Sequence, residues 1–429
     1  MKTENVAKPE KKLPGKKPSE QKPPAPKEIK KLEEKYIFRT YKRTELYLSH
    51  GDGAYVYDVE GRRYLDFLAG ISVNSMGYNH PRIVNAIAGQ GSKLIHASNL
   101  FYNQYQGLLA KKLTEISGMS RAFFCNSGTE AIEAAMKIAR AYGRKGGRKG
   151  KTKILSLKNS FHGRTFGALS ITAQEKYQAP FMPLVPDVEI IEETTVTALK
   201  KAFSDNVCAI VIEPVQGEGG VFPMKAAFMR AVRELCDQYD ALFIADEIQC
   251  GMGRTGKWFG FEHFDVRPDV VTLAKSLAAG YPLGAVLGNK KAADVLSPGD
   301  HGTTFGGGPL ACRLALEVLS IIEDEGLIEN AKKMGAYLMK GIRTIGTRYA
   351  AVGEVRGFGL MIGAELGSDA KEVFDRLIDK GVIANVTHDT VLRLIPPLVV
   401  NKEQCDEFLD MLAAVLGNIE FARSEKSQG

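Results

Sequence analysis

The sequence has 429 residues, of which 44% are hydrophobic and 25% are charged. This composition is typical of a globular chain with more than one domain, and no apolar run approaches the ~20 residues of a membrane-spanning helix. The N-terminal region lacks the apolar stretch of a secretory signal. The six cysteines form no CxxC pair and the seven histidines no HExxH motif. We therefore expect no metal centre, no disulfide framework, no membrane contact and a cytoplasmic location.

Residues 1–35 contain eleven lysines, six prolines and six acidic residues. Such a segment has too little apolar surface to offset the entropy of ordering, so we predict that it is disordered. It carries most of the formal net charge of +7, which leaves the rest of the chain near neutral. A basic tail could bind nucleic acid. The absence of interleaved aromatic residues favours a solvated extension, and we predict no nucleic-acid partner.

Further along the chain, alternating residues over 55–68 predict a β-hairpin with its turn at Glu60 and Gly61. Helical spacing follows Pro81 and returns over 104–117, after an aromatic, polar loop. From residue 121 onward, short apolar runs alternate with helical patterns, which indicates a mostly parallel sheet with helices on both faces. The predicted strands are 121–125, 154–157, 209–212, 241–245, 270–274 and 285–287, and the clearest helices between them are 128–142 and 225–240.

After about residue 305 the pattern changes to that of a smaller α+β domain. Its predicted helices are 309–324, 328–347 and 402–417, and its strand-like segments are 354–366, 381–386 and 390–398. The predicted division of the chain is a disordered tail at 1–35, an N-terminal part of the small domain at 36–70, a large domain at 71–305, a C-terminal part of the small domain at 306–421 and a frayed end at 422–429.

Three motifs stand at predicted strand ends, where parallel sheets bind ligands. Lys275 follows an apolar strand; it either snorkels to the surface or condenses with an aldehyde cofactor, which removes the cost of a buried ammonium. Asp246 ends another apolar strand and either caps a turn or pairs with a protonated pyridine nitrogen. The sequence NSGTEA at 126–131 opens a helix, as an ordinary Ser/Thr cap or as a cradle for phosphate.

Together these motifs resemble the class III aminotransferases. The resemblance covers residues 36–420 and rests on FFCNSGTEA, NSFHGRT, IEPVQGEGG, ADEIQCGMGRTG, TLAKSLAAGYPLGA, HGTTFGGGPL and RLIPPL. It implies an α/β fold of the fold-type I class, with a mostly parallel central sheet, flanking helices and a smaller α+β domain. It also implies pyridoxal 5'-phosphate as cofactor, a small-molecule amino donor and 2-oxoglutarate as substrates, and a homodimer with active sites at the subunit interface.

The resemblance also implies roles for individual residues. Lys275 would bond the cofactor and transfer the proton, and Asp246 would pair with the pyridine nitrogen. Arg164 would bind the donor's carboxylate and Arg393 that of 2-oxoglutarate, with Glu213 masking Arg393 until then; taken singly, each arginine is more often a solvated surface residue. The other implied positions are Ser127, Gly128 and Thr129 at the phosphate, Thr304 at the phosphate of the neighbouring subunit, Phe161 and Ile248 on the ring faces, His162 beside the cofactor, Gln249 at the phenolic oxygen and Thr303 near the substrate.

The loop HASNLFYN at 96–103 resembles that of family members acting on N2-acetylornithine. This implies transfer of its δ-amino group to 2-oxoglutarate in arginine biosynthesis, with ornithine, 4-aminobutyrate, succinylornithine and succinyl-diaminopimelate as alternative donors. An aminomutase or racemase of the same fold needs no keto acid, and the predicted gate of Glu213 and Arg393 favours a transferase. Nucleic-acid binding through the tail is the non-enzyme alternative. Gly308 departs from the family, which usually has asparagine there.

Overall fold

The computed structural model describes residues 24–148 and 150–428. The first elements are α1 (Pro26–Tyr36), β1 (Leu48–Asp52), β2 (Tyr55–Asp58), β3 (Arg63–Asp66) and α2 (Ala69–Ser72). The predicted hairpin is confirmed, since β2 and β3 pair in antiparallel fashion. Disorder over residues 1–35 is wrong for 26–35, where Lys and Glu are good helix formers and Glu33 pairs with Arg43. Residues 1–23 lie outside the described residues.

The middle of the chain alternates strands and helices. Its elements are α3 (Pro81–Gly91), α4 (Gln106–Ser117), β4 (Arg121–Cys125), α5 (Gly128–Arg144), β5 (Lys153–Leu157), α6 (Phe166–Ser170), α7 (Glu175–Gln178), β6 (Val188–Ile191), α8 (Val196–Ala202), β7 (Val207–Ile212), β8 (Val215–Gln216), β9 (Phe222–Pro223), α9 (Ala226–Gln238), β10 (Leu242–Asp246), β11 (Val270–Leu273) and β12 (Gly284–Gly288). All six predicted strands are present within one or two residues.

Seven of these strands form the central sheet, in the order β4-β12-β11-β10-β7-β5-β6. Neighbouring strands are parallel except where β12 pairs with β11 and β4. Strands β7, β10, β11 and β12 are buried along their whole length, as expected where helices cover both faces. The predicted α/β fold with a mostly parallel sheet is therefore confirmed. The carboxyl ends of β7, β10 and β11 lie side by side.

The last part of the chain holds the remaining elements. They are α10 (Pro309–Asp324), α11 (Leu327–Gly346), β13 (Val355–Phe358), β14 (Met361–Glu365), α12 (Ala370–Lys380), β15 (Val382–Ile383), β16 (Asn385–Thr387), β17 (Val391–Leu394) and α13 (Lys402–Gln428). Helix α13 continues to Gln428 through Arg, Glu and Lys, which favour helix, so the end predicted to fray is the last turn of this helix. No helix of the described residues has the length and apolarity to cross a bilayer.

The smaller sheets join the two ends of the chain. Strands β13, β14, β17 and β16 form an antiparallel sheet in that order. Strand β15 pairs in parallel with β3, so the N-terminal hairpin and the C-terminal segment share a second sheet. This pairing places residues 48–66 and the last third of the chain in one structural unit beside the central sheet.

Helix α11 packs against the β13–β14 hairpin at Gly335, where the Gly359 carbonyl oxygen occupies the space of a Cβ. Gly335→Ala should therefore lower the free energy of unfolding by about 1–3 kcal/mol through overpacking. Gly89→Ala is the matched control, because nothing lies within 4 Å of that position in α3. It should be neutral or stabilise by up to about 1 kcal/mol through helix propensity. Equal effects of both substitutions in urea unfolding would contradict the close approach.

Candidate active site

The carboxyl ends of the central strands border a cavity of about 380 Å³. Its walls come from the ends of β7, β10 and β11, from the start of α5 and from the loops at 161–164 and 280–283. The cavity brings together most of the residues predicted from the sequence: Ser127, Gly128, Thr129, Phe161, His162, Arg164, Glu213, Asp246, Ile248, Gln249 and Lys275. Among the predicted residues, Arg393, Thr303 and Thr304 are not part of its lining.

Lys275 follows β11 and begins a short turn, with φ at +40°. A side chain in this left-handed conformation is strained by roughly 1–3 kcal/mol and is found mainly where function requires it. Its side chain borders the cavity, so it does not snorkel to the outer surface. Burial lowers the pKa of the Lys275 amine, and the charge of Glu218 opposes that shift. The amine is thus closer to its neutral, nucleophilic form than an ordinary lysine.

A buried hydrogen-bond network holds the residue after this lysine. Ser276 Oγ donates to the Ser72 carbonyl oxygen at 2.6 Å and lies 2.6 Å from Ser75 Oγ. Arg254, which is fully buried, donates to Ser72 Oγ at 3.0 Å and to Ser75 Oγ at 3.1 Å. The network fixes the backbone at Lys275 from two distant parts of the chain. Sequence reasoning missed these four residues, because serines and arginines give no local signal of such contacts.

Asp246 is the last residue of β10 and is 3% exposed. Its Oδ2 lies 2.7 Å from His162 Nδ1, and its Oδ1 accepts hydrogen bonds from Ile248 N at 3.1 Å and Thr272 Oγ1 at 3.2 Å. Burial acts to lower the pKa of His162, but its hydrogen bond to Asp246 and the charges of Asp246 and Glu213 outweigh burial and raise it. The carboxylate is therefore held rigidly at the cavity with an imidazole behind it.

The start of α5 is capped by its own side chains and also borders the cavity. Ser127 Oγ accepts the Glu130 N–H at 3.3 Å, and the Glu130 side chain accepts the N–H of the residue before the cap at 2.8 Å. The N–H groups of Gly128 and Thr129 lie in the first turn, where they have no acceptor within the helix. A Cβ on Gly128 would lie 2.9 Å from Ile248 Cγ2, so glycine lets these two cavity walls meet. The first turn can hold an anion.

The glutamate that pairs with Arg393 is Glu218, so the expectation that Glu213 masks this arginine is wrong. Arg393 is fully buried and also donates to Asn385 Oδ1 at 2.8 Å and Gln249 Oε1 at 3.1 Å. Its Nη2 is buried and has no hydrogen-bond partner among the described residues. Burial acts to raise the pKa of Glu218, but the charge of Arg393, its hydrogen bond and the nearby charge of Lys275 together outweigh burial and lower it. The pair is therefore charged and one donor remains free.

Glu213 has a different role. Its carboxylate accepts the N–H of Phe161 at 3.1 Å and of Gly217 at 3.3 Å, so both oxygens are used inside the chain. Burial raises the pKa of Glu213 to about 7. The turn after β7 carries Glu218 to Arg393, whereas Glu213, at the strand end, points toward the loop of Phe161. Two glutamates five residues apart in one motif cannot be told apart without this turn geometry.

Three other predicted positions lie at the edge of the site. Thr303 Oγ1 accepts hydrogen bonds from Asn126 Nδ2 at 3.1 Å and Gly306 N at 3.3 Å, which orders its own loop. Thr304 is exposed. Gly308 is the N-cap of α10 without a side-chain hydrogen bond, and a Cβ there would lie 3.3 Å from the nearest atom. No residue of the loop at 303–308 lines the cavity of its own chain.

Comparison with known proteins identifies the family. A model of the class III aminotransferases matches residues 36–416. The chain belongs to the class III aminotransferases. An acetylornithine aminotransferase of Methanocaldococcus jannaschii is 48% identical, over 90% of this chain and 98% of that protein. One from Caldanaerobacter subterraneus is 46% identical, over 91% and 99%.

Solved structures of this family share the fold. The ornithine aminotransferase of Toxoplasma gondii matches with a TM-score of 0.90 and 35% identity, covering 94% of this chain and 97% of that one. The acetylornithine aminotransferase of Elizabethkingia anophelis matches with a TM-score of 0.82 and 34% identity, covering 92% and 99%. The resemblance and the fold-type I architecture predicted from the sequence are therefore confirmed.

Class III aminotransferases depend on pyridoxal 5'-phosphate, and a second Toxoplasma gondii structure is described with this cofactor at the active site. The cavity fits such a group. It offers an amine with a lowered pKa at Lys275, a buried carboxylate at Asp246 and, at Gly128, a helix N-terminus whose first N–H groups have no acceptor within the helix. These three groups match an aldehyde, a protonated ring nitrogen and a phosphate in chemistry. The family transfers amino groups from an amino donor to a keto acid.

Proposed function

We propose that this enzyme transfers the δ-amino group of N2-acetylornithine to 2-oxoglutarate, giving N-acetylglutamate semialdehyde and glutamate, as in arginine biosynthesis. The observation that carries this proposal is the unequal state of two arginines. Arg164 makes no side-chain hydrogen bond or ion pair with the described residues, whereas Arg393 is paired with Glu218. Relatives named acetylornithine aminotransferase, 41–48% identical over 88–91% of this chain, support the choice of donor.

The two arginines suit substrates with different numbers of carboxylates. Acetylornithine has one carboxylate, which the free Arg164 binds. 2-Oxoglutarate has two, and its second carboxylate displaces Glu218 from Arg393, where the unpaired Nη2 completes a two-pronged contact. An arginine left unpaired in this buried position would cost several kcal/mol and would favour dicarboxylates at all times. The ion pair removes that bias while the donor is bound.

When bound, pyridoxal phosphate supplies an electron sink for the pair of electrons left by the breaking C–H bond of the substrate. Lys275 would hold the cofactor's aldehyde carbon through its Nζ until the donor's amine replaces it, and the released Nζ would then move the proton. Asp246 holds the ring nitrogen protonated, while His162 and Thr272 fix the carboxylate. The remaining contacts are assigned to Ser127, Gly128 and Thr129 at the phosphate, Phe161 and Ile248 on the ring faces and Gln249 at the phenolic oxygen.

We also propose that the working form is a homodimer, with Thr304 completing the phosphate site of the partner copy. Support comes from a patch of exposed apolar side chains around Thr304. It consists of Phe305 and, in the segment whose Asn99 donates to the Thr303 and Gly306 carbonyl oxygens, of Leu94, Ile95, Leu100, Phe101 and Tyr102. Such a patch marks an interface on a globular protein. The six cysteines are free and buried, which supports the reducing cytoplasm as its location.

The experiment that tests the proposal compares amino donors with the purified enzyme and 2-oxoglutarate. Acetylornithine should give the highest kcat/KM, above ornithine, 4-aminobutyrate, succinylornithine and succinyl-diaminopimelate. Ornithine is the second candidate, because the Toxoplasma gondii ornithine aminotransferase matches with a TM-score of 0.90. A faster reaction with ornithine or 4-aminobutyrate would contradict the proposed donor. Turnover without consumption of 2-oxoglutarate would instead indicate a mutase or racemase.

A further inference from the structure

Arg164 lies on an aromatic surface. Its guanidinium carbon is 3.7 Å from the ring centroid of Tyr177 and 5.5 Å from that of Phe161. The two rings meet edge to face, with their centroids 6.2 Å apart at an interplanar angle of 84°. Phe161 belongs to the cavity wall, whereas Tyr177 is a residue that neither the sequence motifs nor the proposed cofactor contacts include. Tyr177 therefore lies outside the cavity lining and contacts two residues of that lining, Arg164 and Phe161.

Hydrogen bonds fix the backbone at both Arg164 and Tyr177. Arg164 N donates to Thr129 Oγ1 at 3.2 Å, which ties the arginine to the start of α5. Tyr177 lies in α7, and its N–H donates to the Gln174 carbonyl oxygen at 2.9 Å. The next residue, Gln178, donates from Nε2 to the Leu169 carbonyl oxygen at 3.0 Å. The ring is thus a fixed support for a long side chain that is otherwise exposed.

The stacking has a consequence for carboxylate binding. A guanidinium on an aromatic face is attracted to the ring but uses none of its in-plane N–H donors there. The side-chain donors of Arg164 have no acceptor among the described residues, so they remain available as a fork for one carboxylate. The ring also orders a flexible side chain before the substrate arrives, which removes part of the ordering cost of binding. The Tyr177 hydroxyl makes no hydrogen bond within the described part of the chain.

We propose that Tyr177 is a positioning residue that sets specificity for the amino donor, by holding Arg164 in the orientation that binds the donor's carboxylate. The inference rests on the proposed function, because it takes Arg164 as the site of the donor's carboxylate. It adds the substrate class that benefits: ω-amines with a carboxylate at the far end gain from Tyr177, and ω-amines without one do not.

The test compares Tyr177→Ala and Tyr177→Phe on two donors that differ only in the carboxylate, acetylornithine and N-acetylputrescine. Tyr177→Ala should raise the KM for acetylornithine about tenfold and leave kcat within about twofold. A change of about tenfold corresponds to the free energy of one cation–π contact. Its kcat/KM for N-acetylputrescine should stay within about twofold of wild type. Tyr177→Phe keeps the ring face and should behave as wild type with both donors.

A second measurement needs no turnover. N-Acetylnorvaline has the carboxylate of acetylornithine but no terminal amine, and its affinity for the holoenzyme can be measured by calorimetry. Tyr177→Ala should weaken this affinity about tenfold. Unchanged affinity, or an equal loss of kcat/KM with both donors, would overturn the inference. If the wild-type enzyme binds N-acetylnorvaline in this Tyr177-dependent way yet does not turn over acetylornithine, the proposed function fails and the role of Tyr177 stands.

Discussion

Replacing Lys275 with alanine is expected to abolish amino-group transfer while the protein stays folded. The side chain borders the cavity and burial lowers the pKa of its amine, so it can act both as nucleophile and as proton carrier. Loss of a residue with both roles should lower kcat at least about 10⁴-fold. The fold should survive, because no hydrogen bond or ion pair ties Lys275 Nζ to the described residues, and alanine also removes the cost of a half-buried amine.

The control for this substitution is another lysine at a strand end of the same sheet. Lys158 follows β5 and pairs with Glu192 at the surface, outside the cavity lining. Lys158→Ala should keep kcat within about twofold of wild type, as expected for an exposed ion pair. Activity can be followed as glutamate formed, and folding by thermal melting.

Methylamine, which is small enough for the space left by the side chain, should restore part of the lost rate in Lys275→Ala. Turnover near the wild-type rate without added amine would exclude Lys275 as the reactive residue.

The central sheet could be predicted from the sequence because its strands are continuous apolar runs. The residues of β7 and β10 are all buried, so local composition alone identifies them. Strand β6 was not predicted, because it is a half-buried edge strand with Glu189 in its middle. Helix α1 was not predicted either: it has no buried residue, and its Lys and Glu composition is also that of a disordered tail.

The site residues, too, differ in whether the local sequence gives a signal for them. Lys275 and Asp246 could be found because a charged residue at the end of a buried apolar strand is unusual in itself. The network of Arg254 with Ser72 and Ser75 could not, because these contacts join residues 182 and 179 positions apart. The choice between Glu213 and Glu218 depends on one turn, whose backbone path is not encoded in a local pattern. Composition and motifs therefore identify which elements bear the chemistry, and tertiary contacts decide which side chains pair.

Replacing Glu218 with alanine is expected to change which carboxylates the enzyme accepts. In the wild type, the carboxylate of Glu218 neutralises Arg393, and any dicarboxylate must displace it. Without it, Arg393 is a buried cation with Asn385 and Gln249 as its remaining partners. A substrate with a second carboxylate then gains the full ion pair at no cost of displacement. The ratio of kcat/KM for glutamate to kcat/KM for acetylornithine as amino donor should rise at least about tenfold.

Glu213→Gln is the matched control, since it changes the other glutamate of the same motif. Burial raises the pKa of Glu213 to about 7, so glutamine resembles the protonated side chain that this position already holds below that pH. Its carboxylate accepts the N–H groups of Phe161 and Gly217, so the substitution should affect the loop that holds the cavity wall rather than the charge at Arg393. Both donors should therefore respond to Glu213→Gln in the same proportion. If Glu213→Gln raises the preference for glutamate and Glu218→Ala does not, the ion pair seen here is not the element that separates the two substrates, and the gate assigned to Arg393 has to be placed elsewhere.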